Sequence, residues 1–241
     1  MFACLNLSYM NKICLFALLI AVASANLAAD MSNVSPSRES LSCLAGKNVT
    51  KVIFKISDEK GTINKNFLDG FIFARDAGIS TIDAIVIVND TLVPGELSAD
   101  VASALPANFN GTVWLQVLNA PALWTRQMSK RMAYLEDLIL AFKQHGLTAG
   151  IYSDAKAWTS IIGYQTIGSD TLNSAPVWYV NTNNVQSFDD FSYAGFGTWT
   201  KPNLKNYQKN FYICYTVAAS FDYYEADTQF KEIDQQRFLS F

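Results

Sequence analysis

The segment Val113–Asn119, VWLQVLN, has polar and apolar residues in a pattern that could carry functional side chains. Its apolar and β-branched residues predict a strand, and the two-residue repeat of a strand puts Trp114, Gln116 and Leu118 on one face. Glutamine can hydrogen-bond a ligand or a neighbouring polar group, whereas leucine can only fill volume. Neither side chain can transfer a proton as a carboxylic acid does.

The chain contains a single histidine, His145, in KQHG. A helix is predicted to end at Gly146, and a cation is favourable near the C-terminus of a helix. We therefore interpret His145 as a solvated helix-terminal residue. On this interpretation no histidine is available for a catalytic triad, and a single histidine excludes a multi-His metal site.

Composition indicates one compact domain. The chain has 241 residues, half of them apolar, and a net charge of −3. This length is sufficient to bury a large core. No basic excess points to nucleic acid, so none is predicted as a partner.

Residues 1–25 are predicted to be a secretory signal peptide. From Met10, the run MNKICLFALLIAVASA has a basic start, an apolar stretch and Ala23-Ser24-Ala25 as a cleavage signal. The stretch is shorter than the roughly 20 residues of a membrane span, and no later span is predicted. Either Met1 or Met10 is the start. We expect a domain over 26–227, a tail over 228–241, and a location outside the cell or in an endomembrane or digestive lumen.

Secretion makes a disulfide between the remaining cysteines the favoured interpretation, because oxidising compartments favour disulfides. Cys4 and Cys14 would leave with the signal peptide, and Cys43 and Cys214 would remain as an even pair. We predict one disulfide between Cys43 and Cys214, with two buried free thiols as the alternative. The predicted mature part has four Asn-x-Ser/Thr sequences that are candidate glycosylation sites: Asn33, Asn48, Asn89 and Asn110.

Apolar runs alternate with amphipathic stretches along the chain, which predicts an α/β domain with a largely parallel sheet. Eight strand candidates at this length favour a closed β/α barrel of the TIM-like kind. Helices are expected at Asn64–Ala77, Glu96–Ala104, Trp124–Gln144 and Ala155–Ile162, the third with a core-facing stripe that includes Met128. The strand candidates are Leu27–Asp30, Val52–Ile56, Ile82–Val88, Val113–Asn119, Thr148–Tyr152, Val177–Val180, Leu204–Gln208 and Tyr212–Ala218.

Several segments, taken in order, resemble the family 25 glycoside hydrolases, most closely the secreted lysozymes of nematodes and some protists. The segments are ADMS followed by SLSCL, AGISTIDAIVIV, VWLQVLN, GLTAGIYSDAKAWTSIIG, APVWYVNTNN with SFDDF, GFGTWTKP and SFDYY. They cover roughly residues 28–227. The resemblance implies a modified eight-stranded barrel and hydrolysis of the β-1,4 link after N-acetylmuramic acid in bacterial peptidoglycan. It implies no metal or cofactor, since this chemistry uses carboxylates and water.

The resemblance also implies site residues. Asp30, Asp83 and Asp222 match acidic positions of the family and are expected to face the groove at the C-terminal ends of the strands. The family's Asp-x-Glu pair falls on Gln116 and Leu118, so the proton donor and its partner carboxylate are absent. Loss of a positioned general acid costs about 10²- to 10⁴-fold in rate.

Three hypotheses for function follow. The first is a secreted lysozyme-like protein that binds peptidoglycan with little or no hydrolysis, in defence or bacterial digestion. The second is an active muramidase with a displaced acid, for which Asp154, Glu225 and Asp227 are candidates, although Asp154 is more simply a helix N-cap. The third is a secreted protein whose ligand is not a glycan. The sequence leaves the oligomeric state open.

Aromatic side chains supply a further argument for glycan binding. Sugar rings stack on exposed aromatic rings, and Tyr179 and Trp199 are our candidates for that contact. The alternative is that the aromatic residues of the long loop after Val180 pack together as a small satellite core.

Overall fold

The computed structural model describes residues 26–163, 169–191, 197–214 and 217–225. The predicted signal peptide and the predicted tail over 228–241 lie outside these residues. No helix in the described part of the chain is both long and apolar enough to cross a membrane.

Eight strands close into one barrel in chain order, which confirms the predicted fold class. Neighbouring strands from β1 to β7 are parallel, whereas β8 runs antiparallel to both β7 and β1. The strands are β1 (Leu27–Asp30), β2 (Val49–Ser57), β3 (Thr81–Ile87), β4 (Thr112–Gln116), β5 (Thr148–Asp154), β6 (Val177–Val180), β7 (Leu204–Ile213) and β8 (Val217–Tyr223).

Helices lie between the strands and cover the outside of the barrel. They are α1 (Arg38–Gly46), α2 (Phe67–Asp76), α3 (Pro94–Ala104), α4 (Met128–Gln144), α5 (Ala155–Ile161) and α6 (Asp170–Ser174). The sequence analysis named no helix at α1. A reciprocal capping box between Ser37 and Ser40 begins this helix, with each side chain accepting the other's backbone N–H at 3.1 Å.

Three of the predicted boundaries that differ from the structure have the same cause. The strand predicted over Val113–Asn119 ends at Gln116, and the single strand predicted over Tyr212–Ala218 contains the end of β7 and the beginning of β8. The helix predicted from Trp124 begins only at Met128, which is 47% exposed and therefore not a core residue. In each case an apolar pattern continues past the point where the backbone changes conformation.

Alternating residues of each strand face the barrel interior. The interior is filled by Ala28, Ile53, Ile85, Trp114, Tyr152, Trp178 and Leu204. Tyr152 stacks on Trp178, with ring centroids 3.6 Å apart, and Trp114 meets Trp178 edge-on at 5.6 Å. These rings make the barrel a packed core rather than a pore, as expected for eight strands. The outward residues pack against the helices in a larger cluster.

The hairpin of β7 and β8 is tied to α1 by a disulfide. Cys43 lies in α1, and Cys214 follows β7 with a positive φ of 58°. Their Cα atoms are 5.7 Å apart, and 171 residues separate them in sequence. The bond thus links the beginning of the barrel to its end.

We expect the double substitution Cys43→Ser/Cys214→Ser to lower the free energy of unfolding by about 2–5 kcal/mol, because the crosslink restricts the unfolded chain. Urea unfolding followed by tryptophan fluorescence measures the change. Dithiothreitol is the control, since it should destabilise the wild type to the level of the variant and leave the variant unchanged. Equal stability of the two oxidised proteins would contradict the prediction.

Candidate functional site

The C-terminal ends of the parallel strands form the mouth of the barrel. Asp30 ends β1 and is 8% exposed, and its Oδ1 accepts the backbone N–H of Ser32 at 2.8 Å. Burial raises the pKa of the Asp30 carboxyl, although the contact with Ser32 and the charges of Lys209 and Lys55 oppose the shift. Asp30 is therefore a carboxyl group at the mouth that holds its proton more tightly than a solvated aspartate.

Asp222 lies deeper, on the inward face of β8 beside Ala28 of β1. It is fully buried, and its Oδ1 accepts the indole N–H of Trp178 at 2.9 Å. Burial, and then the nearby charge of Asp30, raise the pKa of Asp222 well above its ordinary value. This carboxyl group is neutral over a wider pH range than a surface aspartate.

Asn206 of β7 pairs with Asp222 and is also fully buried. The Asn206 side chain lies close enough to the Asp222 carboxyl group to oppose its raised pKa, but in the described part of the chain neither polar atom of Asn206, nor Oδ2 of Asp222, has a partner with full hydrogen-bond geometry. Buried polar atoms of this kind are uncommon in native proteins. The barrel interior thus contains an amide group and a carboxyl oxygen whose hydrogen-bonding potential is not fully used.

Tyr152 connects these groups. Burial is the main cause that raises the pKa of its phenol, and the carboxyl groups of Asp30, Asp222 and Asp154 add to the shift. The phenol therefore lies amid three acidic side chains. The sequence analysis missed Tyr152 as a site residue, and the alternation of β5, which puts it on the same face as Asp154, was the available signal.

Asp154 ends β5 and caps α5, because its Oδ1 accepts the N–H of Ala157 at 2.7 Å. This agrees with the simpler of the two sequence interpretations. Glu225 forms an exposed ion pair with Lys201 at 3.2 Å, and Asp227 lies outside the described residues.

Asp83 does not face the groove, which corrects our expectation. It is 1% exposed and lies near the N-terminal end of β3, at the opposite end of the barrel from the mouth. Its Oδ2 accepts from Lys51 Nζ at 3.0 Å and from Trp114 Nε1 at 2.9 Å, and its Oδ1 accepts the N–H of Thr112 at 2.9 Å. The carboxylate closes the bottom of the barrel.

Gln116 and Leu118 lie at the mouth and immediately beyond it. Gln116 is the last residue of β4, opposite Tyr152, and is partly exposed. Its side-chain amide makes no hydrogen bond with another described residue. Leu118 lies two residues past the strand, and its carbonyl accepts the indole N–H of Trp124 at 3.0 Å. The described end of β4 therefore presents an amide and an alkyl group but no acid.

Tyr179 and Trp199 are not placed at the mouth, so the structure does not support our prediction that they contact a ligand there. Tyr179 is 1% exposed on the outer face of β6, and its hydroxyl donates to Asp190 at 2.6 Å. Trp199 packs edge-on against Trp158 of α5 at 5.1 Å and donates its indole N–H to the carbonyl of Ala175 at 3.0 Å. Both rings belong to the large outer core rather than to a separate satellite core of the loop.

Among the described residues, no group of three or more His, Cys, Asp or Glu side chains is arranged to hold a metal ion. A cavity of about 490 Å³ lies between the loops that follow β1 and β2, and its wall includes Ser32, whose N–H binds Asp30. Barrel glycoside hydrolases are among the many enzymes that place carboxyl groups at the C-terminal ends of barrel strands.

Comparison with known proteins identifies the family. The family model described as lysozyme-like protein 1 matches residues 21–207. The probable GH family 25 lysozyme 2 of Dictyostelium discoideum is 32% identical over 195 residues, which are 80% of this chain and 88% of that protein. The chain therefore belongs to the lysozyme-like proteins of glycoside hydrolase family 25.

Solved structures show the same fold. The bacterial lysozyme from Streptomyces coelicolor matches with a TM-score of 0.65 at 14% identity, over 86% of this chain and 95% of that one. The modular autolysin LytC from Streptococcus pneumoniae, in complex with a synthetic peptidoglycan ligand, matches with a TM-score of 0.62 at 11% identity, over 86% of this chain and 48% of that one.

The buried carboxyl of Asp222 predicts a pH dependence of stability. Its folded-state pKa is raised, so the stability it contributes is complete below the pKa of the unfolded chain and is lost as pH rises through the folded-state pKa. We expect the free energy of unfolding of the wild type to fall from pH 4 to pH 8. Asp222→Asn, which cannot ionise, should reduce this fall by on the order of 1 kcal/mol or more.

Urea unfolding at pH 4, 6 and 8 measures the two slopes. Asp69→Asn, at an exposed position of α2, controls for a general effect of removing one negative charge. A slope that is the same in wild type and Asp222→Asn would show that Asp222 is ionised in the folded protein across this range.

Proposed function

We propose that this protein is a secreted, lysozyme-like protein that binds bacterial peptidoglycan and has lost most or all muramidase activity. One observation carries the proposal, namely that Gln116 and Leu118 occupy the end of β4, where the family resemblance expects an Asp-x-Glu pair. Glycoside hydrolysis needs one carboxylic acid of the enzyme to protonate the leaving oxygen. It also needs a second carboxylate of the enzyme, which attacks the sugar or activates a water molecule. An amide and an alkyl group supply neither.

Binding is supported by what the mouth retains. Asp30, Gln116 and the polar cavity between the loops that follow β1 and β2 offer hydrogen-bonding groups to a sugar chain, and the amide of Gln116 has no described protein partner to give up. The LytC autolysin, which shares the barrel fold, was solved with a synthetic peptidoglycan ligand. A peptidoglycan strand is therefore the ligand we propose for this mouth.

Secretion is part of the proposal. It rests on the N-terminal sequence pattern and on the disulfide between Cys43 and Cys214, a bond typical of oxidising compartments. We place the protein outside the cell or in a digestive lumen, where it meets bacterial walls in defence or in the digestion of bacteria.

A second candidate is a working muramidase with a displaced acid. It is favoured by Asp30 at the mouth, because burial raises the pKa of this carboxyl group and a general acid must hold its proton more tightly than a solvated aspartate does. Asp154 is a weaker candidate, since its Oδ1 is held by the N-terminus of α5.

Release of reducing sugar from purified peptidoglycan distinguishes the two candidates. We expect no release above background by the wild type, and release by Gln116→Asp/Leu118→Glu at a rate at least about 10²-fold above it, because the variant regains a proton donor and a second carboxylate. The matched control is Gln116→Asn/Leu118→Met, which changes the same positions without adding an acid. Clear wild-type turnover that Asp30→Asn abolishes would establish the displaced-acid enzyme.

Co-sedimentation with insoluble peptidoglycan tests the binding half of the proposal. The wild type should sediment with the wall material. Gln116→Asn/Leu118→Met should do so to a similar extent, since it keeps an amide at position 116 and adds no acid. Failure of the wild type to sediment would indicate a ligand that is not this glycan.

A further inference from the structure

Lys55 is a partly buried cation at the mouth of the barrel. It lies on the inward face of β2, two residues past Ile53, which pairs with Asp30 of β1. Its charge acts on the carboxyl group of Asp30. The ammonium group therefore stands at the rim of the same opening as Asp30.

The ammonium group of Lys55 has no ion pair or hydrogen bond with any other described residue. This distinguishes it from the two other lysines that are partly or fully buried on the strands. Lys51 pairs with Asp83 at 3.0 Å, and Lys205 pairs with Asp190 at 2.9 Å. The ammonium group of Lys55 therefore keeps its hydrogen-bond donors available to an anion from outside the chain.

The cavity of about 490 Å³ gives that anion a place. Lys55 forms part of its wall, together with the loop 32–36 after β1 and residues of the loop 58–66 after β2. Ser32, Ser35 and Asn66 add neutral hydrogen-bonding groups to the lining. This volume falls within the range of cavities that hold small ligands.

Asp58 also lines the cavity but is engaged by its own loop. Its Oδ1 accepts the backbone N–H groups of Lys60 and Thr62, each at 2.9 Å. Its negative charge still opposes an anion, so removal of that charge should strengthen anion binding. Removal of the Lys55 charge makes the cavity more negative, and removal of the Asp58 charge makes it more positive.

We infer that this cavity is a subsite for a carboxylate-bearing substituent of the bound glycan, held by Lys55. The inference rests on the proposed function and specifies its substrate class. In peptidoglycan, the muramic acid unit carries such a substituent in its acidic stem peptide, whereas a chitin chain carries none. The cavity therefore selects wall glycan over neutral polymers of N-acetylglucosamine.

Calorimetric titration with three soluble probes tests the inference. The probes are a peptidoglycan tetrasaccharide with stem peptides, the same compound with its peptide carboxylates amidated, and chitotetraose. We expect the wild type to bind the carboxylated probe about tenfold more tightly than the amidated one, as a charge-assisted contact should. This comparison needs no variant and so does not depend on folding of a mutant.

Variants then assign the preference to Lys55. Lys55→Gln should lose the tenfold preference and keep its affinity for chitotetraose, while Lys55→Arg should retain it. Asp58→Asn should increase the preference. Lys60→Gln is the matched control, because Lys60 is an exposed lysine of the same loop that does not line the cavity.

The outcomes separate the two proposals. If the wild type binds none of the three probes, both the proposed function and the proposed subsite are wrong. If the wild type binds the glycans with equal affinity whether or not the carboxylates are amidated, glycan binding stands and the subsite is wrong. An equal loss of preference in Lys55→Gln and Lys60→Gln would also overturn it, since that result indicates only a general charge effect.

Discussion

The burial of the Asp222 carboxyl group inside an apolar barrel is the constraint on which the interior depends. A carboxylate without water is expensive, so the group either stays protonated or is compensated by hydrogen bonds and charges. The structure supplies one strong hydrogen bond, from Trp178, and places Asn206 beside it. Asp30 lies close enough to raise the pKa of Asp222 further, because a negative charge on Asp30 disfavours a second one on Asp222.

Strand β6 serves two polar systems with adjacent residues. Trp178 points into the barrel and donates to Asp222, whereas Tyr179 points outward and donates to Asp190. Asp190 also accepts from Lys205, which is fully buried, and from Asn181 at 2.6 Å. The outer network holds the loop after β6 in place, and the inner one holds the carboxyl group at the centre. A one-residue shift of this strand would exchange the two faces and break both systems.

The sequence indicated the architecture well, because buried parallel strands are short apolar runs and leave a clear signal. The sequence could not show whether a strand residue lies at the mouth of the barrel or at the opposite end. Asp83 and Asp30 both belong to strands, but Asp83 is the third residue of β3 and Asp30 the last of β1, so they lie at opposite ends of the barrel. Tyr179 was misjudged because exposure of an aromatic ring depends on which face of β6 packs against the loop. Tyr152 emerged only from the closed barrel, which brings it amid acids from three strands.

Because β8 runs antiparallel to β1, the end of β8 lies beside the beginning of β1. The backbone N–H of Tyr224 donates to the carbonyl of Asn26 at 3.3 Å, at the bottom of the barrel, while the mouth opens at the opposite end. A tether attached at either of these points, such as a linker to a solid support, would orient every molecule with its mouth facing away from the support. The same proximity means that a short peptide could join the two points, so the barrel is suited to circular permutation.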